Sequence, residues 1–203
     1  METVLVTGSA GFIGGHLTDK LLSSYIVVGV DNMTNGLQLT MDNHIKHKNF
    51  IPAFYDITSK NIEEVFSKYR PKYIFHLAAL PGVTPSVQDP AGSDLVNING
   101  TVNMLSLSLK YGVDRFVFSS SSSVYGGSDG SPNFEIDSPN PKSPYALQKL
   151  VGEKYCYLFS NEMGLDTASL RYFNVIGDRQ RADSAYAAVL PAFSTCKLSL
   201  IHI

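Results

Sequence analysis

Short runs of β-branched and apolar residues alternate along this chain with longer stretches in which apolar positions recur every three to four residues. Thr3-Val4-Leu5-Val6-Thr7 and Ile26 to Val30 read as strands. Phe50 to Tyr55 reads as a third, weakened by Pro52, which has no N–H to give a sheet. Tyr73 to Leu77, Arg115 to Ser119 and Thr167 to Tyr172 complete the set. Between them, Phe12 to Leu22 carries Phe12, Ile13, Leu17, Leu21 and Leu22 at helical spacing. Ile62, Val65, Phe66 and Tyr69 form a second such face that stops at Pro71. Val96 to Tyr111 is helical, with Gly112 as its C-terminal stop. A loop rich in Ser, Gly, Pro and Asn leads from the fifth strand to about Ser143, and the helix Tyr145 to Phe159 closes near Gly164.

Strand alternating with helix predicts an α/β fold: a doubly wound parallel sheet with helices on both faces. Continuous apolar strands such as Val4-Leu5-Val6 and Ile26-Val27-Val28 suit a sheet buried on both sides. A chain of 203 residues fits one domain, or one and a fraction. Charge narrows the partners. Sixteen basic against 18 acidic residues give a net charge of -2, unlike the basic footprint of a nucleic-acid binder or a polybasic membrane patch. No apolar run approaches the roughly 20 residues that span a bilayer. The N-terminus lacks the basic and apolar regions of a signal peptide. Cys156 and Cys196 read as ordinary buried thiols, which points to a cytoplasmic setting.

Chemistry enters with the loop after the first strand. Gly8, Gly11 and Gly14 stand three apart in Thr7-Gly-Ser-Ala-Gly-Phe-Ile-Gly14, with a strand before and a helix after. Such glycines allow a tight turn, a close approach of backbone to a pyrophosphate, and close packing of helix on strand. The helix N-terminus adds free N–H groups and partial positive charge. Asp31 ends the second strand, 23 residues after Gly8. A carboxylate there accepts bonds from ribose hydroxyls and repels a 2′-phosphate, which favours NAD over NADP. A plain turn with a capping Asp is the bland alternative.

Tyr145 and Lys149 are four apart, on one face of a helix whose start is fixed by Pro139, Pro141 and Pro144. An unperturbed phenol titrates near 10. A neighbouring ammonium lowers that value toward the working range of a general base. The same pair also occurs on plain surface helices. Ser119 to Ser123 end the fifth strand, at the carboxyl edge of the sheet where such folds bind ligands.

Together these motifs resemble the extended short-chain dehydrogenases, in the NAD-dependent nucleotide-sugar epimerase/dehydratase group. The likeness continues through Asp31 to Asn35, Asp56-Ile57, His76-Leu-Ala-Ala79, Asn99-Gly-Thr101, Val124-Tyr-Gly126, Tyr145-Ala-Leu-Gln-Lys149 and Arg171-Tyr-Phe-Asn-Val-Ile-Gly177. It implies a Rossmann-type sheet with NAD as bound cofactor. Gly8, Gly11, Phe12, Ile13 and Gly14 would line the pyrophosphate; Asp31, Asn32 and Asn35 would hold the adenosine side. Asp56 and Ile57 would flank the adenine. Leu77, Ala78, Ala79 and Asn99 would lie along the cofactor, with Tyr172 and Phe173 at its nicotinamide end. Tyr145 and Lys149 would touch both cofactor and chemistry. Alignment on Val124-Tyr-Gly126 makes Ser121 the match to the family's catalytic Ser, with Ser123 also in reach. Asn174 would face the nucleotide diphosphate of a UDP-sugar.

The resemblance also sorts reactions. Dehydratases carry an Asp-Glu pair where this chain has Ser122 and Ser123, and decarboxylases a Glu where it has Ser123. Epimerisation at C4 of a UDP-hexose remains, with Tyr145 as base; the implied alternatives are a reductase or dehydrogenase of the same family, or a catalytically silent NAD-binding fragment. The closest likeness is to enzymes of UDP-glucose or UDP-N-acetylhexosamines, with Asp178 standing where that group commonly has Pro. No metal is implied, and His16, His44, His47, His76 and His202 lack ligand spacing. Family members are longer and commonly homodimers through the two helices at Val96 to Tyr111 and Tyr145 to Phe159. The expected layout is a cofactor domain over 1–175, the start of a substrate subdomain over 176–197, and a tail over 198–203. That tail departs from the family, and one frame of a transposon-end sequencing adapter encodes the same six residues, so it reads as non-native. A chain cut there is expected to expose apolar surface.

Overall fold

In the computed structural model, residues 1–127 and 132–180 are described. Six strands form one parallel sheet: β1 (Thr3–Thr7), β2 (Ile26–Val30), β3 (Phe50–Ala53), β4 (Tyr73–His76), β5 (Arg115–Ser121) and β6 (Thr167–Tyr172). Their order is β3-β2-β1-β4-β5-β6. The order reverses between β1 and β4, so a crevice opens at their carboxyl ends, the usual ligand position of such sheets. Helices α1 (Phe12–Leu21), α2 (Gln38–Ile45), α3 (Glu63–Tyr69), α4 (Val83–Gln88), α5 (Pro90–Asp94), α6 (Thr101–Lys110) and α7 (Pro144–Met163) make the crossovers.

One core cluster packs Leu5, Val28, Ile74, Phe116 and Phe118 of the sheet against Phe66, Met104, Leu105, Cys156 and Phe159. The opposite face gathers Val4, Val6, Val27, Met41 and Phe50. Two glycines set how closely helices approach the sheet. A Cβ on Gly14 would stand 2.0 Å from the Gly8 carbonyl oxygen, and one on Gly152 would stand 2.4 Å from the Phe118 ring. Gly152 thus seats α7 directly on β5, between Lys149 and Glu153.

The element boundaries differ from the pattern-based reading in informative places. Strand β5 runs on to Ser121, because its pairing with β6 continues through Ser120 and Ser121 although their side chains are polar. The helix expected over Val96 to Tyr111 begins as a π-helical segment, Leu95–Gly100, before α6. Ser143 caps α7 by accepting from the Ala146 N–H at 3.2 Å, and Gly164 ends it at φ +81. Helices α2, α4 and α5 were not expected; they are short and lack a full apolar stripe.

The described structure divides into two units, Met1–Phe173 and Asn174–Ile203. Cys196, His202 and the tail 198–203 lie outside the described residues. No helix among the described residues is long and apolar enough to cross a membrane.

Candidate active site

The glycine loop closes the first turn of the crevice. Gly8 has φ +70, a conformation that favours glycine, and a Cβ there would meet the Ala78 backbone nitrogen at 2.9 Å. Gly11 differs: at φ -73 its imagined Cβ meets only the Gly8 carbonyl oxygen, at 3.1 Å. The space beyond it is open. Gly11 also caps α1 with no side-chain bond to the first turn, which carries no acidic residue. The Phe12 and Ile13 N–H groups start a helix whose positive end faces that space.

Asp31 lies at the end of β2, 8% exposed. Its carboxylate accepts from the Ala10 N–H at 2.9 Å and the Met33 N–H at 2.8 Å, so it ties the glycine loop to the loop after β2. Asn32 and Asn35 are exposed on that loop. Asn32 donates to Asp56 at 2.8 Å. Burial works to raise the Asp56 carboxyl, but bonds from Thr58 and Asn32 prevail and hold it below the usual range. Ile57 is buried in the core, close against Gly100. Leu77, Ala78 and Ala79 are half-buried after β4, and Thr7 Oγ1 accepts from the Leu77 and Ala78 N–H groups at 3.1 Å.

At the other end of the crevice, α7 brings Tyr145 and Lys149 beside the end of β5. Lys149 is buried and donates from Nζ to the Ser119 carbonyl at 2.9 Å. Its Nζ stands 5.1 Å from the Phe118 ring centroid and 5.8 Å from that of Tyr145. Burial pulls this ammonium down to about 8. Ser121 Oγ accepts from the Ser123 hydroxyl at 2.9 Å and the Ser123 N–H at 3.2 Å, and Ser121 lies close enough to the Tyr145 phenol to oppose the effect of its burial. The expected lowering of the phenol by Lys149 is absent here. Burial raises Tyr145, and only Ser121 opposes it, because the ammonium is held at the Ser119 carbonyl.

Tyr172 is the register partner of Ser121 on β6. Phe173 follows it, 56% exposed, its ring 6.2 Å from that of Tyr125. Asn174 opens the second unit. Asn99 departs from its expected place: it is exposed, whereas Asn97 is buried. Asn97 accepts from the Leu80 N–H at 2.8 Å and donates to the Leu80 carbonyl and to Gln148. The π-helical segment shifts which asparagine faces inward, a change that helical spacing alone does not reveal.

Sequence reasoning also missed polar groups that support the site. Gln148, next to Lys149, donates to Ser93 at 2.7 Å and Asp94 at 2.6 Å. Ser86 accepts from the Tyr145 N–H at 3.0 Å. Glu153 and Arg171 form a part-buried ion pair. A chemical residue within four places of Tyr145 or Lys149 on the same helix was the only available signal. His76 is a core group, bonded to Thr7 at 2.8 Å and Thr101 at 3.1 Å, and burial pulls it down to about 3. Among the described residues no cluster of His, Cys, Asp and Glu could hold a metal ion.

A scan against known families matches residues 4–199 to the NAD dependent epimerase/dehydratase family. The chain is 41% identical over 180 residues to a putative UDP-glucose 4-epimerase of Methanocaldococcus jannaschii, covering 87% of this chain and 57% of that protein. Among solved structures, it aligns with the UDP-N-acetylglucosamine 4-epimerase of Methanobrevibacter ruminantium in complex with UDP-N-acetylmuramic acid. That match has TM-score 0.92 and 38% identity, covering 97% of this chain and 63% of the other. The UDP-glucose 4-epimerase of Thermus thermophilus, solved with NAD, aligns with TM-score 0.84 and 36% identity, covering 90% and 58% respectively. The chain thus spans about three-fifths of the length of these relatives.

Proposed function

The chain belongs to the NAD dependent epimerase/dehydratase family, and from that premise we propose that it is the cofactor-binding part of a UDP-sugar 4-epimerase. The observation that carries this reading is the pairing of two ends of one crevice. At one end, Gly11 leaves open space at the positive end of α1, beside Asp31. At the other, Tyr145, Ser121 and the desolvated Lys149 come together. An extended dinucleotide suits that arrangement.

NAD⁺, when bound, supplies the hydride acceptor and a positive ring at the reacting end. The chain's own residues do the rest. Gly8, Gly11, Phe12, Ile13 and Gly14 line the pyrophosphate, and Asp31 takes the ribose hydroxyls, with Asn32, Asn35, Asp56 and Ile57 around the adenosine. Leu77, Ala78 and Ala79 flank the cofactor, with Tyr172 and Phe173 at its far end. Bound NAD⁺ would accept the C4 hydrogen as hydride and return it, while Tyr145 would take the proton from the sugar 4-hydroxyl and give it back to the same oxygen, so that the C4 epimer would form with no net oxidation. Ser121 holds the sugar oxygen, with Ser123 bonded behind it, and Asn174 faces the nucleotide diphosphate. In the free chain burial raises Tyr145 without opposition from Lys149; the positive ring of a bound NAD⁺ would supply the charge that favours the phenolate.

The same reading includes a homodimer in the full-length protein, through α6 and α7. It is supported by the exposed Leu109, Leu147 and Leu158 on those helices. The buried free thiol of Cys156 suits a cytoplasmic setting.

The test is to incubate the protein with NAD⁺ and UDP-glucose, UDP-N-acetylglucosamine or UDP-glucuronate, and to follow C4 configuration by NMR. Epimer without net NADH is expected, with Tyr145→Phe slower by about 10²–10⁴-fold and still able to bind NAD. Stoichiometric NADH without an epimer would favour a dehydrogenase.

A further inference from the structure

Glu153 sits one turn beyond Lys149 on α7 and receives donors from two strands at once. Arg171 gives it a forked bond, Nε to Oε1 at 2.9 Å and Nη2 to Oε2 at 2.8 Å. The Ser120 hydroxyl donates to Oε1 at 2.5 Å. Ser120 and Arg171 are register partners, on β5 and β6. The side chains of Arg171 and Glu153 are only 20% and 12% exposed. The Arg171 guanidinium also lies 4.7 Å from the Tyr125 ring centroid and donates from Nη1 toward the Glu135 carbonyl at 3.4 Å. One carboxylate therefore joins the helix of Tyr145 and Lys149 to the strand end that carries Ser121, and through Arg171 to the loop beyond.

A part-buried ion pair recovers little net stability, because desolvation of the charges offsets much of their attraction. Packing does not require it either: Gly152 and Phe118 already bring α7 onto β5. What packing leaves free is the slide of the helix along the strand. Apolar contact is nondirectional, whereas a forked bond plus a hydroxyl fixes position. Tyr145 on α7 and Ser121 at the end of β5 need that fix if both are to reach one substrate oxygen, since a hydrogen bond is lost by a shift of less than an ångström.

We propose that Glu153 and Arg171, with Ser120, are positioning residues that hold α7 in register with the end of β5, so that Tyr145 stays beside Ser121. This deepens the reading of Tyr145 and Ser121 as reacting groups and rests on it. The three residues touch neither cofactor nor sugar in this account.

The experiment uses the full chain with difluorotyrosine in place of Tyr145, whose phenol titrates below that of tyrosine and reports through its ¹⁹F signal. Titration midpoints are compared in the parent, Ser121→Ala, Ser120→Ala, Glu153→Gln and Thr167→Val. Thr167 bonds the Cys156 carbonyl of the same helix at 2.9 Å, away from the strand end, and so controls for general loosening of α7. The phenolate loses its donor in Ser121→Ala, and the midpoint is expected to rise by about 0.4–1 unit, the worth of one ordinary hydrogen bond. Glu153→Gln and Ser120→Ala are expected to move it the same way, and Thr167→Val to leave it in place. An unmoved midpoint in Ser120→Ala overturns the proposal, whether or not Glu153→Gln folds. An equal rise in Thr167→Val overturns it too, since general loosening would then suffice. NAD binding is measured on the same samples. A parent that fails to bind NAD contradicts the functional reading, and the titration still judges the positioning by itself.

Discussion

Gly11 and Gly14 share a loop and a residue type, yet the space around them sets opposite requirements. Alanine at Gly14 would drive its Cβ to 2.0 Å from a backbone oxygen, so the loop and helix must part. We expect Gly14→Ala to destabilise the fold by about 1–3 kcal/mol or more. Alanine at Gly11 needs a shift of only a few tenths of an ångström against Gly8. It should leave the melting temperature within a few degrees of the parent while weakening NAD more than about tenfold, since its methyl occupies the space for the pyrophosphate. Calorimetric melting and NAD titration of both variants check this. Lys149 poses a similar contrast. Burial holds its ammonium at about 8 in the folded chain, against 10.5 for an ordinary lysine. Between those values the unfolded chain holds more protons, so this group's contribution to stability rises with pH across that window. Below pH 8 the burial penalty is fully present. Lys149→Met should therefore raise stability at pH 7 by about 1–2 kcal/mol, less the donor lost at the Ser119 carbonyl, and the gain should shrink toward pH 10.5. Turnover should be lost with it, as expected where a strained group serves chemistry.

At the scale of elements, apolar pattern located all six strands, because Val4-Leu5-Val6 and Ile26 to Val30 are buried on both faces and leave no ambiguity of period. It stopped short where hydrogen bonding rather than burial extends an element. Ser120 and Ser121 belong to β5 through their pairing with Arg171 and Tyr172, a fact written in β6 and not in the serines. The glycine spacing and the Tyr145–Lys149 pair were legible because each lies within one turn or loop. Asn97, Gln148 and the Glu153–Arg171 pair were not, since their partners are distant in the chain. The inward turn of Asn97 was hidden for a related reason, the π-helical segment that leaves Asn99 exposed. His76 shows how one buried residue links elements: it joins β4 to Thr7 of β1 and Thr101 of α6. Burial lets it take a proton only at about 3 when folded, against 6.5 for an ordinary imidazole. The unfolded chain thus binds the extra proton between those values, and stability should fall as pH drops from 6.5 toward 3. The slope is up to about 1.4 kcal/mol per pH unit from this group. His76→Gln, which can still bond both hydroxyls, should flatten that slope in denaturant titrations at pH 4, 5 and 6.

Across the whole molecule, the first unit holds every residue of the cofactor crevice and the Tyr145, Lys149 and Ser121 group, while Asn174 opens the second. Leu147, Tyr157 and Leu158 on α7 and Leu170 on β6 are exposed. The chain spans about three-fifths of the length of its relatives. The residues proposed for the cofactor lie within Met1–Phe173, and the proposed selectivity rests on Asp31, held by the Ala10 and Met33 N–H groups after β2. Calorimetric titration of this chain with NAD⁺ and NADP⁺ in parallel is the most direct measurement. One site per chain for NAD⁺, at least tenfold tighter than for NADP⁺ and lost in Gly11→Ala, is the predicted result. Heat for neither dinucleotide from a folded sample, or equal affinity for both, would contradict the account.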